Sequence, residues 1–173
     1  MTYTRKLIYI ALFIALGLTL PIVFHLVGGG AAGSVFLPMH IPVFMAGLLL
    51  GIKGGLTTGV LTPVLSSVLT GMPPLLPMLP IMITELGVYG AVAGYLYKKR
   101  QLPLVLALAA AMIAGRMAAL AVVACLAGLF GIIMNPMAYV TGVTTTGIPG
   151  MVIQFVFVPL LIKKLEATGT VRM

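Results

Sequence analysis

Acidic residues are nearly absent from this chain: 173 residues hold two Asp/Glu against ten Lys/Arg, and charged residues make up only 7%. A soluble domain cannot cover its surface with so few water-compatible groups. A mean hydropathy of +1.24 and 61% hydrophobic residues therefore point to lipid as the solvent. Cysteine is limited to Cys125, inside an apolar run, which excludes an intrachain disulfide and a metal cluster of Cys ligands. No stretch matches a nucleotide-binding P-loop, so the chain cannot hydrolyse ATP by itself. Neither a His-x-x-x-His pair nor a carboxylate cluster offers metal-ligand spacing, and no Gly-x-Ser-x-Gly marks a serine nucleophile. No repeated ring of charge or carbonyl filter motif marks a pore. No metal and no cofactor are expected.

What is present is a patterned set of cations. Arg5 and Lys6 precede the first apolar run, Lys53 sits between the second and third, Lys98, Lys99 and Arg100 follow the fourth, and Lys163, Lys164 and Arg172 close the chain. The alternate loops carry no charge. With six crossings all nine of these cations fall on one side, and the positive-inside bias makes that side the cytoplasm, with both termini inside. Small juxtamembrane groups of this kind form no continuous basic face, so nucleic acid is not an expected partner despite the net charge of +8. Arg5 and Lys6 ahead of an apolar run also resemble a signal peptide. That run continues to Val27 without a clear small-x-small cleavage site, so it is read as a retained first helix.

A spanning helix needs about 20 mostly apolar residues. The candidates are Leu7 to Val27, Met39 to Ile52, Leu56 to Gly71, Met78 to Tyr97, Leu102 to Phe130 and Gly147 to Leu165. The expected fold is all-α, an integral membrane bundle of six transmembrane helices in one domain over residues 1–173. The second and third helices are short and interrupted by Gly and Pro, and Lys53 with the pair Gly54-Gly55 is expected to turn a tight hairpin between them. Outer loops are read at Gly28-Gly29-Gly30 to Ser34, at Gly71-Met72-Pro73-Pro74, and from Asn135-Pro136 to Thr144-Thr145-Thr146. Small residues four apart, as in Ala11/Ala15, Gly47/Gly51, Gly55/Gly59, Gly90/Gly94 and Ala107/Ala111, let helix backbones approach closely. Most fit internal packing; the Ala11/Ala15 face also fits a surface for another membrane protein.

Two ionisable residues lie within apolar spans, where each is expensive and marks a functional site by default: Glu85 and Arg116. Glu85 lies seven residues after Met78, about 10 Å below the outer end of the fourth helix. Arg116 lies sixteen residues after Arg100, about 24 Å up the fifth. Antiparallel neighbours joined by a short turn bring these depths together in the outer half. Two readings stand: a structural pair that neutralises itself, and a site in which Arg116 presents part of its fork to an anionic or carboxylate-bearing ligand while Glu85 holds it. His40, Tyr89, Asn135 and Gln154 gather at the same level and complete an outward-facing polar cup. His25 and His40 also fit interfacial or structural roles. Met39, Met45, Met72, Met78 and Met82 are lipid-compatible core residues, some of which fit an adaptable pocket wall.

The chain resembles the S component, the membrane-embedded substrate-binding subunit, of an energy-coupling factor (ECF) vitamin transporter. The likeness covers nearly the whole chain. It rests on the six-helix plan, on Ala11-x-x-x-Ala15, and on Met39-His40-Ile41-Pro42-Val43 with Gly47-Leu-Leu-Leu-Gly51. It rests also on the segment Leu61-Thr-Pro-Val-Leu-Ser-Ser67 to Thr70-Gly71-Met72-Pro73-Pro74 and on Gly147-Ile-Pro-Gly150 before Gln154. The resemblance implies no enzymatic activity but a vitamin substrate, an Ala11/Ala15 face that docks on a transmembrane T component coupled to two ATPase subunits, and a subunit that topples in the membrane to deliver its cargo. It also implies a pocket near the outer surface, covered by the loops after the first, third and fifth helices. Arg116 favours a carboxylate, with pantothenate, niacin and biotin as candidates. Full neutralisation by Glu85 would suit a neutral ligand such as riboflavin. The alternatives are an intramembrane enzyme using Glu85 and His40 as acid and base, and a structural or channel-like helical bundle.

Overall fold

The computed structural model describes residues 2–29 and 31–167, without the side chain of Glu166, so Gly30 and Arg172 lie outside the described residues. The described chain is helical and has no strand. It has six helical segments long and apolar enough to cross a membrane. In chain order the helices are α1 (Tyr3–Gly28), α2 (Ala32–Phe36), α3 (His40–Leu50), α4 (Ile52–Thr70), α5 (Met78–Gly94, continued by a π-helical turn Tyr95–Lys99), α6 (Leu104–Phe130), α7 (Pro136–Thr146) and α8 (Ile148–Ala167). Helices α2 and α3 together make the second span. Successive spans run in opposite directions, so Arg5, Lys6, Lys53, Lys98 to Arg100, Lys163 and Lys164 fall at one end of the bundle. The ends of α1, α4 and α6 and the starts of α3, α5 and α8 form the other.

Helix α3 is apolar all round and accordingly occupies the centre: Pro42 to Leu49 are all buried, against α1, α4, α5 and α8. Its contact with α4 and α5 has no side-chain layer between backbones. A Cβ on Gly47 or Gly55 would run into the Gly90 carbonyl, and one on Gly59 into the Leu86 carbonyl. These are the glycines of the four-residue repeats, and they serve internal packing as the spacing suggested. Ala11 and Ala15, by contrast, are exposed; α1 meets the bundle mainly through the buried Phe13 and Gly17, the latter against Thr62.

Four local details differ from the sequence reading. The hairpin between α3 and α4 turns at Gly51, whose φ of 82° and ψ of −169° suit only glycine, while Lys53, Gly54 and Gly55 already belong to α4. The second span breaks at Leu37-Pro38-Met39, where Leu37 is left-handed (φ 50°). Residues 136–146 form helix α7 instead of an extended loop: Asn135 accepts from the Ala138 N–H at 3.1 Å and Pro136 occupies the first turn, a strong helix start. Finally, α6 begins only at Leu104, because Gln101 is left-handed (φ 55°) and Pro103 precedes the first turn. Arg116 thus stands about 18 Å along its helix rather than about 24 Å, nearer its middle.

Candidate functional site

Glu85 on α5 and Arg116 on α6 meet as the sequence depth placed them: Arg116 Nη1 donates to Glu85 Oε1 at 2.6 Å, with side chains 6% and 11% exposed. One turn further along α5, the Tyr89 hydroxyl donates to the same Oε1 at 2.7 Å. Tyr89 is held by a stack on Phe44, with ring centroids 5.1 Å apart, and by a tilted contact with His40 at 5.3 Å. Gly115, one residue before Arg116, makes room for the Tyr89 ring: any Cβ there would overlap it. Packing therefore fixes Tyr89, Tyr89 fixes the carboxylate, and the carboxylate fixes one nitrogen of the guanidinium. The other two, Nε and Nη2, are buried and have no hydrogen-bond partner. Both ring nitrogens of His40, a residue 6% exposed, are in the same condition.

Arg116, Glu85 and His40 line a cavity of about 980 Å³ at the end of the bundle opposite the cationic clusters. Three connecting segments wall it. The segment after α1 contributes Gly33, Ser34, Leu37 and Pro38, the one after α4 contributes Met72, Pro73 and Pro74, and α7 contributes Ala138, Tyr139, Gly142, Val143 and Thr146. Four of the five methionines named above, Met39, Met72, Met78 and Met82, lie on its wall, and Met45 does not. The Ser34, Ser66 and Thr70 hydroxyls at the wall already donate to the backbone carbonyls of Ala31, Met72 and Ser66 at 2.9, 2.7 and 2.7 Å. Tyr139 on α7 donates to Met78 Sδ at 3.7 Å and so closes α7 against the start of α5. Burial, with Glu85 nearby, pushes its phenol up to about 12, so it remains a donor at physiological pH.

Three of the expected site residues sit elsewhere. Asn135 is exposed, caps α7 and does not line the cavity. Gln154 is buried behind the wall, where its Nε2 donates to the Leu37 carbonyl at 3.4 Å. It supports the break in the second span from the rear. Tyr89 likewise lies behind Glu85 and outside the cavity lining. Tyr139 and His25, which do line it, carried no depth signal: one falls in a segment read as a loop, the other near the C-terminal end of α1. Among the described residues there is no group of three or more His, Cys, Asp or Glu able to hold a metal.

A cavity with a buried ion pair at its floor and three connecting segments at its mouth suits a membrane protein that holds a small solute. Compared with protein families, the chain matches the model of the ECF transporter, substrate-specific component, over residues 5–162. The chain belongs to this family. No curated protein and no solved structure gave a match. The S component is therefore a multi-pass membrane protein and the substrate-specific subunit of an ECF-type importer, a transporter component. Membership implies a small-molecule substrate and partnership with T and ATPase components.

Proposed function

We propose that this S component captures a carboxylate-bearing vitamin or related micronutrient from the outer face of the plasma membrane. The single observation that supports the reading is the unengaged edge of Arg116. Nε and Nη2 have no partner in the protein, and on a planar guanidinium Nε–H and an Nη–H share one edge, the arrangement that a carboxylate fits with two parallel hydrogen bonds. A lone acceptor would satisfy only one of them. Glu85 holds the guanidinium through Nη1, Tyr89 acts through Glu85, and His40 offers a second polar contact to the ligand. Gln154 and Asn135 act indirectly, through Leu37 and α7.

The cationic clusters give the orientation: both termini in the cytoplasm and the cavity open outside. The exposed Ala11/Ala15 face meets the T component, through which two ATPase subunits drive release inward. The substrate is tested by native mass spectrometry of detergent-purified protein, then by melting in the presence of matched acids and amides, nicotinate against nicotinamide and biotin against its amide. A ligand at 100 times its dissociation constant adds about 2.7 kcal/mol to the folded state. At least one acid is expected to stabilise where its amide does not, and Arg116→Ala to abolish the effect in folded protein. Equal stabilisation by acid and amide, or binding that survives Arg116→Ala, refutes the carboxylate reading.

A further inference from the structure

The cavity divides into two chemical regions. Buried polar groups without a protein partner lie at its floor, at Arg116 and His40, and His25 and Thr146 add polar groups at its rim. Higher up, the Ser34, Ser66 and Thr70 hydroxyls are turned onto backbone carbonyls, and the remaining wall includes Ile22, Leu26, Leu37, Met72, Met78 and Met82. A ligand bearing hydroxyls or amides along its length would lose water there and find few polar partners in return. Volume adds a second constraint. About 980 Å³ lies at the upper end of the roughly 300–1,000 Å³ that small-molecule sites occupy. An acid confined to the floor would leave the apolar wall against water.

We infer that the substrate is an amphipathic monocarboxylate: the carboxylate sits on the Arg116 edge, a single polar group next to it reaches His40, and an apolar body extends along the methionine wall towards α7. The inference rests on the carboxylate reading above and narrows it to acids with an apolar tail or ring system. Methionine suits that wall, since an unbranched, polarisable side chain packs against irregular apolar shapes. Tyr139, tied to Met78, lies over the far end of the body.

The test is equilibrium dialysis of butanoate, hexanoate, octanoate, octanamide and pantothenate against the S component in lipid nanodiscs, with uptake by empty nanodiscs subtracted. Affinity is expected to rise about fourfold per added methylene from butanoate to octanoate, from the burial of each CH₂. Octanoate is expected to bind more tightly than pantothenate, which carries hydroxyls and an amide, and octanamide to bind at least tenfold more weakly than octanoate. Met82→Gln, which keeps the volume but adds a polar group, lowers octanoate affinity by a larger factor than butanoate affinity. Acids that bind without dependence on chain length, or pantothenate binding above octanoate, overturn the apolar body while the carboxylate reading stands. Octanamide binding as well as octanoate overturns the carboxylate reading itself.

Discussion

Replacing Glu85 by Gln isolates the charge of the ion pair from its hydrogen bonds. The amide oxygen can still accept from Arg116 Nη1 and from the Tyr89 hydroxyl, which now reach Oε1 at 2.6 and 2.7 Å. Only the negative charge is lost, which leaves a guanidinium buried at 11% exposure without a counter-ion. Removing one partner of a buried pair costs about 3–5 kcal/mol. The retained acceptor places Glu85→Gln near the lower figure, about 3 kcal/mol. For a chain of this size each kcal/mol moves the melting point by about 2–4 °C, so the ligand-free variant should melt about 6–12 °C below the parent. Differential scanning calorimetry in nanodiscs measures this directly. Repeating the scan with a bound acid gives the second half of the test. A carboxylate on the Arg116 edge supplies the missing anion, so the ligand-induced rise should be larger in the variant than in the parent. A variant that melts within about 2 °C of the parent, less than about 1 kcal/mol, refutes the electrostatic account of the pair. A smaller ligand-induced rise refutes the assignment of Arg116 as the carboxylate partner.

Three further substitutions test other elements. Gly90→Val drives a side chain into the Gly55 carbonyl, where backbone cannot yield, and should destabilise by at least the 1–3 kcal/mol of ordinary overpacking. The control Gly128→Ala, at an exposed helical site with no atom within 4 Å of the added Cβ, should instead raise stability by about 0.5–1 kcal/mol in the same melting assay. Asn135→Ala removes the α7 cap for about 1 kcal/mol, and the expected signature is a faster ligand off-rate with the Arg116 contact retained, read by stopped-flow dissociation. Ala15→Trp on the exposed face of α1 should leave ligand binding intact and abolish uptake by the complete importer in proteoliposomes; undiminished uptake removes that face as the docking surface.

The spans and the ion pair were legible because lipid makes both signals strong. An apolar run of about 20 residues has few alternatives to a crossing helix. Two opposite charges in adjacent antiparallel helices have few alternatives to each other. The sequence could not show how the pair meets: a single nitrogen of Arg116 is engaged, and the Tyr89 hydroxyl donates to the same carboxylate oxygen. Asn135 and Gln154 do not line the cavity, since depth along a helix does not specify whether a side chain faces a cavity or a backbone group behind it. The helix over 136–146 was hidden by composition. Thr141 and Thr145 read as turn formers, yet their hydroxyls fold back onto the carbonyls of Met137 and Thr141 within the helix at 2.8 and 2.9 Å. Tyr139 escaped notice for the same reason, and it is the residue that ties this outer segment to Met78.

The glycine contact between α3, α4 and α5 also constrains how cargo can leave. With carbonyls of α4 and α5 pressed against glycine Cα atoms, there are no interdigitating side chains that could exchange rotamers and let one helix slide along another. These three helices behave as a single rotor. Glu85 and the His40 end of the cavity floor are mounted on that rotor, whereas α7 and the outer end of α1 hang from it by few buried contacts. Any rearrangement of the bundle therefore carries Glu85 and His40 together as rigid freight. The aperture has room to change where the peripheral segments pack least, at the rim and not at the hub.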